Sequence, residues 1–174
     1  MNNFIDKVFT VIADIILKVV PASFQEKKAF VYYRAGMTAE SKGWNQEALK
    51  NYFKSLEFEE DPVDRSFTLY NIALIYQRMG IRYLAVKYYT EALIYQPTLS
   101  QALNNLGLIY HEIATLAENS QGGISQSYAS MLYNQAAKYW IKAIRISPDL
   151  YPYALNWLIT TERINLKLEE ISSY

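Results

Sequence analysis

The sequence predicts an all-α fold made of three consecutive helical hairpins. The first observation is a set of small residues, Gly36, Ala73 and Gly107, which recur 37 and 34 residues apart within runs of helical periodicity. The second is a set of three residues, one small, one aromatic and one small, that follows each of these small residues in the chain; we call it the small–aromatic–small set. The third is composition: 51% of the 174 residues are apolar, so the chain can bury a sizeable core and should fold.

The small–aromatic–small sets keep the same internal spacing in all three units. Their members are Ala48, Tyr52 and Ser55, then Ala85, Tyr89 and Ala92, then Ala136, Trp140 and Ala143. The first two sets are offset by 37 residues and the last two by 51 at every member. Small side chains let two helices approach closely, and we expect each aromatic side chain to fill the space between one hairpin and the next.

Turn and stop signals lie between these sets. Gly43 and Gly80 fall between the two helices of the first two units, where a tight turn needs a residue free of Cβ strain. Asn45 is expected to cap the second helix of the first unit. Pro97 and Pro148, also 51 residues apart, close the second and third units.

This spacing resembles the tetratricopeptide repeat, whose period is about 34 residues. Repeat 1 is predicted over residues 29–62, with Ala39 where an aromatic residue is usual, and repeat 2 over residues 66–99, which match the pattern best. Repeat 3, residues 100–148, is longer by 17 residues, because its offset from repeat 2 grows from 34 to 51. The resemblance implies a solenoid of stacked hairpins.

The extra residues of repeat 3 contain a loop signal, Asn119–Ser120–Gln121–Gly122–Gly123. We interpret the insertion as a lengthening of both helices with a flexible tip. Two roles remain open for it: a tolerated surface insertion or a lever that reaches a partner.

Residues 149–174 are predicted to form a C-terminal capping helix and tail, since the last hairpin of a repeat array would otherwise expose an apolar side. The helix is expected from Tyr151 to Glu170. Its early apolar residues, Leu155, Trp157 and Leu158, should pack on repeat 3. The residues expected to face water are Glu162, Arg163, Lys167, Glu169 and Glu170.

Residues 1–21 are predicted to form an N-terminal amphipathic helix that ends at Pro21. Its apolar side chains cover about half of the helical wheel, and charges interrupt it too often for a membrane span. The side chains expected either to face a membrane interface or to cap repeat 1 are Phe4, Ile5, Val8, Phe9, Ile12, Ile15, Ile16 and Val19. Both alternatives are open, although a polar face without net charge argues against a polybasic lipid anchor.

Composition argues against several classes of function. Seventeen basic and seventeen acidic residues cancel, so no surplus of positive charge favours nucleic acid as a partner. The chain has no cysteine and one histidine, His111, and it shows no glycine-rich phosphate loop. We therefore predict no catalytic residue, no metal, no cofactor and no small-molecule substrate. No secretory or transit segment is recognisable, so we expect the protein to work in the compartment where it is made.

Several segments carry a more specific resemblance. They are Asn3–Ile15, Ala29–Met37, Gln101–Asn105, Gln135–Trp140 and Asn156–Leu158. Together they resemble the photosystem I assembly protein family of plastids and cyanobacteria over nearly the whole chain. The resemblance implies a plastid-encoded assembly factor, peripherally bound to the stromal face of the thylakoid membrane. Its partners would be photosystem I subunits and other assembly factors.

The candidate binding site follows from the repeat. If the units stack, their first helices line a concave groove, where amide side chains can bond to the backbone of an extended peptide. The residues expected to line this partner-binding groove are Tyr33, Arg34, Met37, Tyr70, Asn71, Leu74, Gln101, Asn104, Asn105, Leu108 and His111.

The alternative function is a general tetratricopeptide co-chaperone or adaptor that binds peptide segments of other proteins. Some co-chaperones of this class grip a C-terminal carboxylate with lysine, arginine and asparagine. The corresponding positions here are Tyr33, Met37, Asn71, Gln101 and Asn105. Only Asn71 matches, and a neutral amide cannot replace a charge-assisted bond to a carboxylate.

Overall fold

The computed structural model describes residues 23–119 and 126–164. The predicted N-terminal helix, the tip of the repeat 3 insertion and the last ten residues lie outside the described residues. Within the described ranges the structure contains helices and no strand, which confirms the all-α prediction.

Seven α-helices and one short 3-10 turn make up the described part of the chain. They are α1 Phe24–Ser41, α2 Asn45–Phe58, α3 Pro62–Arg78, α4 Arg82–Tyr95, α5 Ser100–Glu118, α6 Gln126–Ile146, the 3-10 turn Pro148–Leu150 and α7 Pro152–Thr160. The chain divides into two compact units between Thr68 and Leu69, so that α3 contributes to both.

In the first unit, α1 and α2 form a close-packed hairpin. A Cβ atom on Gly36 would lie 2.7 Å from the ring carbons of Tyr52, so only glycine fits there. The buried Ser55 hydroxyl donates a hydrogen bond to the carbonyl oxygen of Ala29, at 2.8 Å. The predicted close approach at small residues is therefore confirmed in this hairpin.

In the second unit, α5 and α6 repeat this arrangement. A Cβ atom on Gly107 would lie 2.5 Å from the indole of Trp140, and the indole N–H donates to the Asn104 carbonyl at 3.2 Å. Ala73, Ala85 and Ala136, the small residues at related positions, are fully buried. Close packing at these positions explains why the pattern requires small side chains.

The turns confirm one prediction and correct another. Gly43 and Gly80 have φ of 75° and 74°, values that a residue with a Cβ atom rarely adopts. Asn45, however, is not a cap. Helix α2 has Trp44 at the N-cap position without a side-chain hydrogen bond, and the Asn45 N–H itself bonds to the Gly43 carbonyl at 3.0 Å.

The insertion lengthens mainly the second helix of repeat 3. Helix α6 has 21 residues, against 14 in α2 and in α4, which amounts to about two turns. Helix α5 has 19 residues against 17 in α3. Since α1 has 18 residues, α5 is longer than the other first helices by less than one turn. The predicted lengthening by a turn or two is confirmed for the second helix and wrong for the first.

The C-terminal helix is shorter than predicted. Helix α7 ends at Thr160, because Glu162 takes a left-handed conformation with φ of 53° and the Arg163 N–H turns back to the Leu158 carbonyl. Leu158 is fully buried and Trp157 packs on the repeat 3 core, as expected of a cap. Arg163 was expected in water but is half-buried, with its guanidinium 5.0 Å from the Trp157 ring centroid.

Candidate partner-binding surface

The predicted groove residues fall on equivalent positions of the three first helices. We group nine of them, helix by helix, under the name first-helix surface: Tyr33, Arg34 and Met37 on α1 in the first unit, and Tyr70, Asn71 and Leu74 on α3 with Asn104, Asn105 and Leu108 on α5 in the second. The spacing i, i+1, i+4 places the three residues of each helix on one side of that helix. None of the nine is buried: eight are half-buried and Met37 is 50% exposed.

On α1, the surface combines aromatic, cationic and apolar groups. The Tyr33 ring packs at a tilt on Tyr52, with centroids 5.7 Å apart. The Arg34 guanidinium lies 5.8 Å from the Phe30 ring centroid. Each half-buried group is thus held by a neighbour in its own unit, which leaves part of it to contact a partner.

In the second unit, the surface residues Tyr70, Asn104 and Asn105 form a hydrogen-bond network that includes the Tyr89 hydroxyl. Tyr89 donates to the Gln77 side-chain oxygen at 2.6 Å and accepts from the Asn105 amide at 3.0 Å. The Asn105 amide also lies 3.4 Å from the Tyr70 hydroxyl, and Asn104 donates to Asn105 at 3.4 Å. Burial raises the pKa of Tyr89, so the hydroxyl stays protonated and can donate.

This network changes the role expected for Asn105. The sequence predicted an amide that serves a partner's backbone, whereas the structure uses it to connect α5 with Tyr89 of α4 and Tyr70 of α3. Gln101 is exposed at the start of α5. The structure therefore brings together Tyr70, Asn104 and Asn105, and leaves Gln101 apart from their network.

The central aromatic residues pack inside their own hairpins as well as toward the element that follows. They were expected between hairpins, but Tyr52 and Trp140 each lie against the glycine of their own hairpin. The Tyr89 hydroxyl also reaches the next hairpin, and the Trp140 ring contacts Tyr153 and Trp157 of α7. The Tyr52 hydroxyl donates to Glu40 at 2.7 Å, as Tyr89 does to Gln77, so these two aromatic residues are held by the end of their own first helix.

His111 takes the position in repeat 3 that Glu40 takes in repeat 1 and Gln77 in repeat 2. It lies in an aromatic cluster. Its ring centroid is 5.1 Å from that of Trp157, and Trp140, Tyr133 and Tyr153 are also in contact with it. Burial lowers the pKa of His111, so it is neutral near pH 7. The His111 ring is thus held by aromatic side chains of α6 and α7.

An open cleft of about 650 Å³ at the end of the third hairpin was missed by the sequence analysis. Its lining mixes hydroxyl, amide, aromatic and opposite charged groups: Glu118, Gln126, Ser127, Ala129, Ser130, Tyr133, Trp157, Thr161 and Arg163. The repeat pattern could not indicate it, since the lining comes from the insertion and from the turn after α7. Among the described residues no group of three metal-ligating side chains occurs, and no described helix is long and apolar enough to cross a membrane.

Comparison with known proteins defines the class first. Residues 68–98 match the family model of the tetratricopeptide repeat. The fold is similar to a solved structure described as the first TPR of Spaghetti (RPAP3) bound to an HSP90 peptide, SRMEEVD. That similarity has a TM-score of 0.58, at 19% identity, over 79% of this chain and 93% of the other. The chain is therefore a tetratricopeptide-repeat protein.

Full-length relatives then identify the family. Photosystem I assembly protein Ycf3 of Cyanophora paradoxa is 51% identical over 167 residues, covering 96% of this chain and 95% of that protein. The protein of the same name from Phaeodactylum tricornutum is 53% identical over 165 residues, 95% and 98% of the two chains. That from Chlamydomonas reinhardtii is 51% identical over 164 residues, 94% and 93%. The chain belongs to the photosystem I assembly protein Ycf3 family, which confirms the resemblance.

Proposed function

We propose that this chain is a non-enzymatic assembly factor that binds photosystem I subunits, or other assembly factors, through the first-helix surface. The names of its relatives support photosystem I as the complex that is assembled. The tetratricopeptide fold supports a scaffold that binds proteins. The finer assignment, to this surface and these partners, is the proposal.

The observation that supports this proposal is that the equivalent positions on α1, α3 and α5 are all at least partly exposed. The small residues Gly36, Ala73 and Gly107 are buried in the three first helices, whereas the neighbouring surface positions all retain exposed area. These positions hold tyrosine, asparagine and apolar side chains, which suit the backbone and side chains of an extended segment. Arg34 is the one charged member of the surface.

We further propose that the protein acts at the stromal face of the thylakoid membrane as a peripheral component. In this proposal the membrane association comes from the subunits that the scaffold holds. The relatives from algae and cyanobacteria support a photosynthetic membrane context.

The test introduces charge into the first-helix surface at Met37 and beside it at Gln101, which precedes Asn104 and Asn105 by about one helical turn, without disturbing the internal network. Met37 is 50% exposed and Gln101 is exposed, so the double variant Met37→Glu, Gln101→Glu should fold normally. A partner would then have to desolvate two carboxylates, and binding should weaken. In a photosynthetic host that carries only this variant, photosystem I should fall while photosystem II stays constant.

The matched control places the same two kinds of substitution on second helices. Ile94 on α4 is 73% exposed and Gln46 on α2 is exposed, so Ile94→Glu, Gln46→Glu changes charge equally. This control should leave photosystem I unchanged. Normal photosystem I in the first variant would contradict the proposal, and equal loss of both photosystems would favour the general co-chaperone.

A further inference from the structure

A second surface of α1, distinct from the first-helix surface, is exposed among the described residues, whereas its repeat equivalents are buried. We call Phe24, Val31, Ala35 and Thr38 the uncovered face of α1. At about 100° per residue these four residues lie within about 60° of one another. Phe24 is 70% and Val31 55% exposed, Thr38 is exposed, and Ala35 is half-buried.

The equivalent residues of α5 are buried. Val31, Ala35 and Thr38 correspond, at the repeat offset of 71 residues, to Ala102, Leu106 and Ile109, which are 0%, 0% and 1% exposed. At the corresponding positions of α3, Thr68, Ile72 and Ile75 are 1%, 0% and 0% exposed. The pattern of the repeat therefore requires these positions to be covered.

The helix that covers this side of α5 precedes it in the chain. Helix α5 packs on α6 through Gly107 and also contacts α4. Ala102, Leu106 and Ile109 lie about 130° around the helix from Gly107, so we assign their burial to α4. A helix that immediately precedes α1 in the chain would occupy the same place on the uncovered face.

We propose that the segment Asn3–Val20 packs antiparallel on the uncovered face of α1. It has 18 residues, the same length as α1, and its apolar side chains cover half of the predicted helical wheel. It is one short connection away from α1. This assignment does not depend on the proposed function, and it chooses between the two roles that the sequence left open.

The start of α1 supports a tight connection. Ser23 is its N-cap and forms a capping box with Glu26, in which each residue's side chain accepts from the other's backbone N–H. The capping box fixes the point at which α1 begins, at Phe24. Three-residue connections also join α1 to α2, over residues 42–44, and α2 to α3, over residues 59–61. Short connections favour antiparallel neighbours.

Thiol labelling of the full chain tests this proposal. Because the chain has no cysteine, only the introduced cysteine reacts. Val31 and Met37 are 55% and 50% exposed, but they lie on different sides of α1. In buffer, Val31→Cys should react with a maleimide at least several-fold more slowly than Met37→Cys. Adding Phe9→Asp should speed labelling at position 31 and not at position 37, whereas Thr10→Asp, on the polar side of the segment, should change neither.

Each alternative way of covering the uncovered face of α1 gives a different labelling result. Equal, rapid labelling at both positions, with the chain floating on phosphatidylglycerol vesicles, would overturn the proposal in favour of a membrane-bound segment. Slow labelling at position 31 that Phe9→Asp leaves unchanged would also overturn it, since a second copy or another segment would then cover the face. The comparison of positions 31 and 37 needs no destabilising substitution, so it holds even if Phe9→Asp unfolds the chain.

Discussion

The contact between Gly107 and Trp140 sets how closely α5 and α6 pack. A Cβ atom on Gly107 would lie 2.5 Å from the indole, and Trp140 is fully buried with its N–H bonded to the Asn104 carbonyl. The indole cannot move away without breaking that bond and disturbing the core that contains Ala136 and Leu158. The smallest possible side chain is therefore too large at this position.

We predict that Gly107→Ala destabilises the protein by about 1–3 kcal/mol through overpacking. The sign of this change in stability distinguishes a crowded position from an open one, because alanine at an unhindered helix position would stabilise by roughly 1 kcal/mol relative to glycine. Chemical denaturation of the full chain measures the change. Gln101→Ala, at an exposed position of the same helix, is the control and should be nearly neutral. A more stable Gly107→Ala variant would contradict the packing model.

At this scale the sequence predicted the small residues and the turn glycines, because each fulfils a steric requirement that recurs at a fixed spacing. It was wrong for the cap at Asn45, because Trp44 takes the N-cap position. An asparagine next to a turn can cap a helix, and an asparagine on a groove face can bind a peptide, but which hydrogen bond forms depends on the neighbours. For Asn105 those neighbours include the Tyr89 hydroxyl, which accepts from the side-chain amide.

At the scale of the helices, the bonds of Tyr89 and Asn105 connect α4 to α5. Tyr89 is fully buried, and its hydroxyl has one acceptor, Gln77, and one donor, Asn105, in the described structure. This hydroxyl joins the end of one first helix to the next first helix. The register between the second and third hairpins should therefore depend on it.

We predict that Tyr89→Phe and Asn105→Ala are energetically coupled. In a double-mutant cycle the coupling free energy should be about 0.5–1.5 kcal/mol, the range of a net hydrogen bond. Tyr133→Phe provides the control, since the Tyr133 hydroxyl bonds to Glu118 and Thr115. Combined with Asn105→Ala it should be additive within about 0.5 kcal/mol. Additivity of both pairs would show that the hydroxyl does not join the hairpins.

Helix lengths were predictable where the repeat supplied a template and less so elsewhere. The two regular hairpins follow the spacing of their glycines and alanines. The insertion has no counterpart in the other units, so the sequence could not show that α6 takes most of the added length. The end of α7 depends on the left-handed Glu162 and on the stacking of Arg163 over Trp157 and Tyr133, contacts between segments that no periodicity encodes.

For the whole molecule, the fold class and the family were predictable, while the arrangement of the binding residues was only partly so. The repeat positions select a set of side chains on the first helices. Contacts with other side chains of the fold then limit which of these groups can bind a partner protein. The Asn105 amide bonds to Tyr89 and Tyr70, and the His111 ring packs in the aromatic cluster. The binding role of these residues stays a prediction, and Asn105 and His111 in addition hold contacts inside the fold.

This composition leads to a prediction about how the proposed complex responds to salt. The chain has no net charge, and Arg34 is the one charged residue of the first-helix surface. Contacts between apolar and amide groups are screened little, even when the Debye length falls from about 10 Å at 0.1 M ionic strength to about 3 Å at 1 M. Partner proteins captured by the full chain from solubilised photosynthetic membranes should therefore stay bound when the salt is raised.

The matched variant is Arg34→Gln, which removes the charge of this surface and keeps a hydrogen-bonding side chain. It should leave the salt response of the complex nearly unchanged, because electrostatic complementarity sets association rates more than it sets the affinity of an uncharged interface. Release of the partners over the same salt range, or loss of the salt response on Arg34→Gln, would instead indicate a charged interface. Release that Arg34→Gln leaves unchanged would move the binding surface to the cleft that contains Glu118 and Arg163, whereas loss of the salt response on Arg34→Gln would place Arg34 itself in a charged interface.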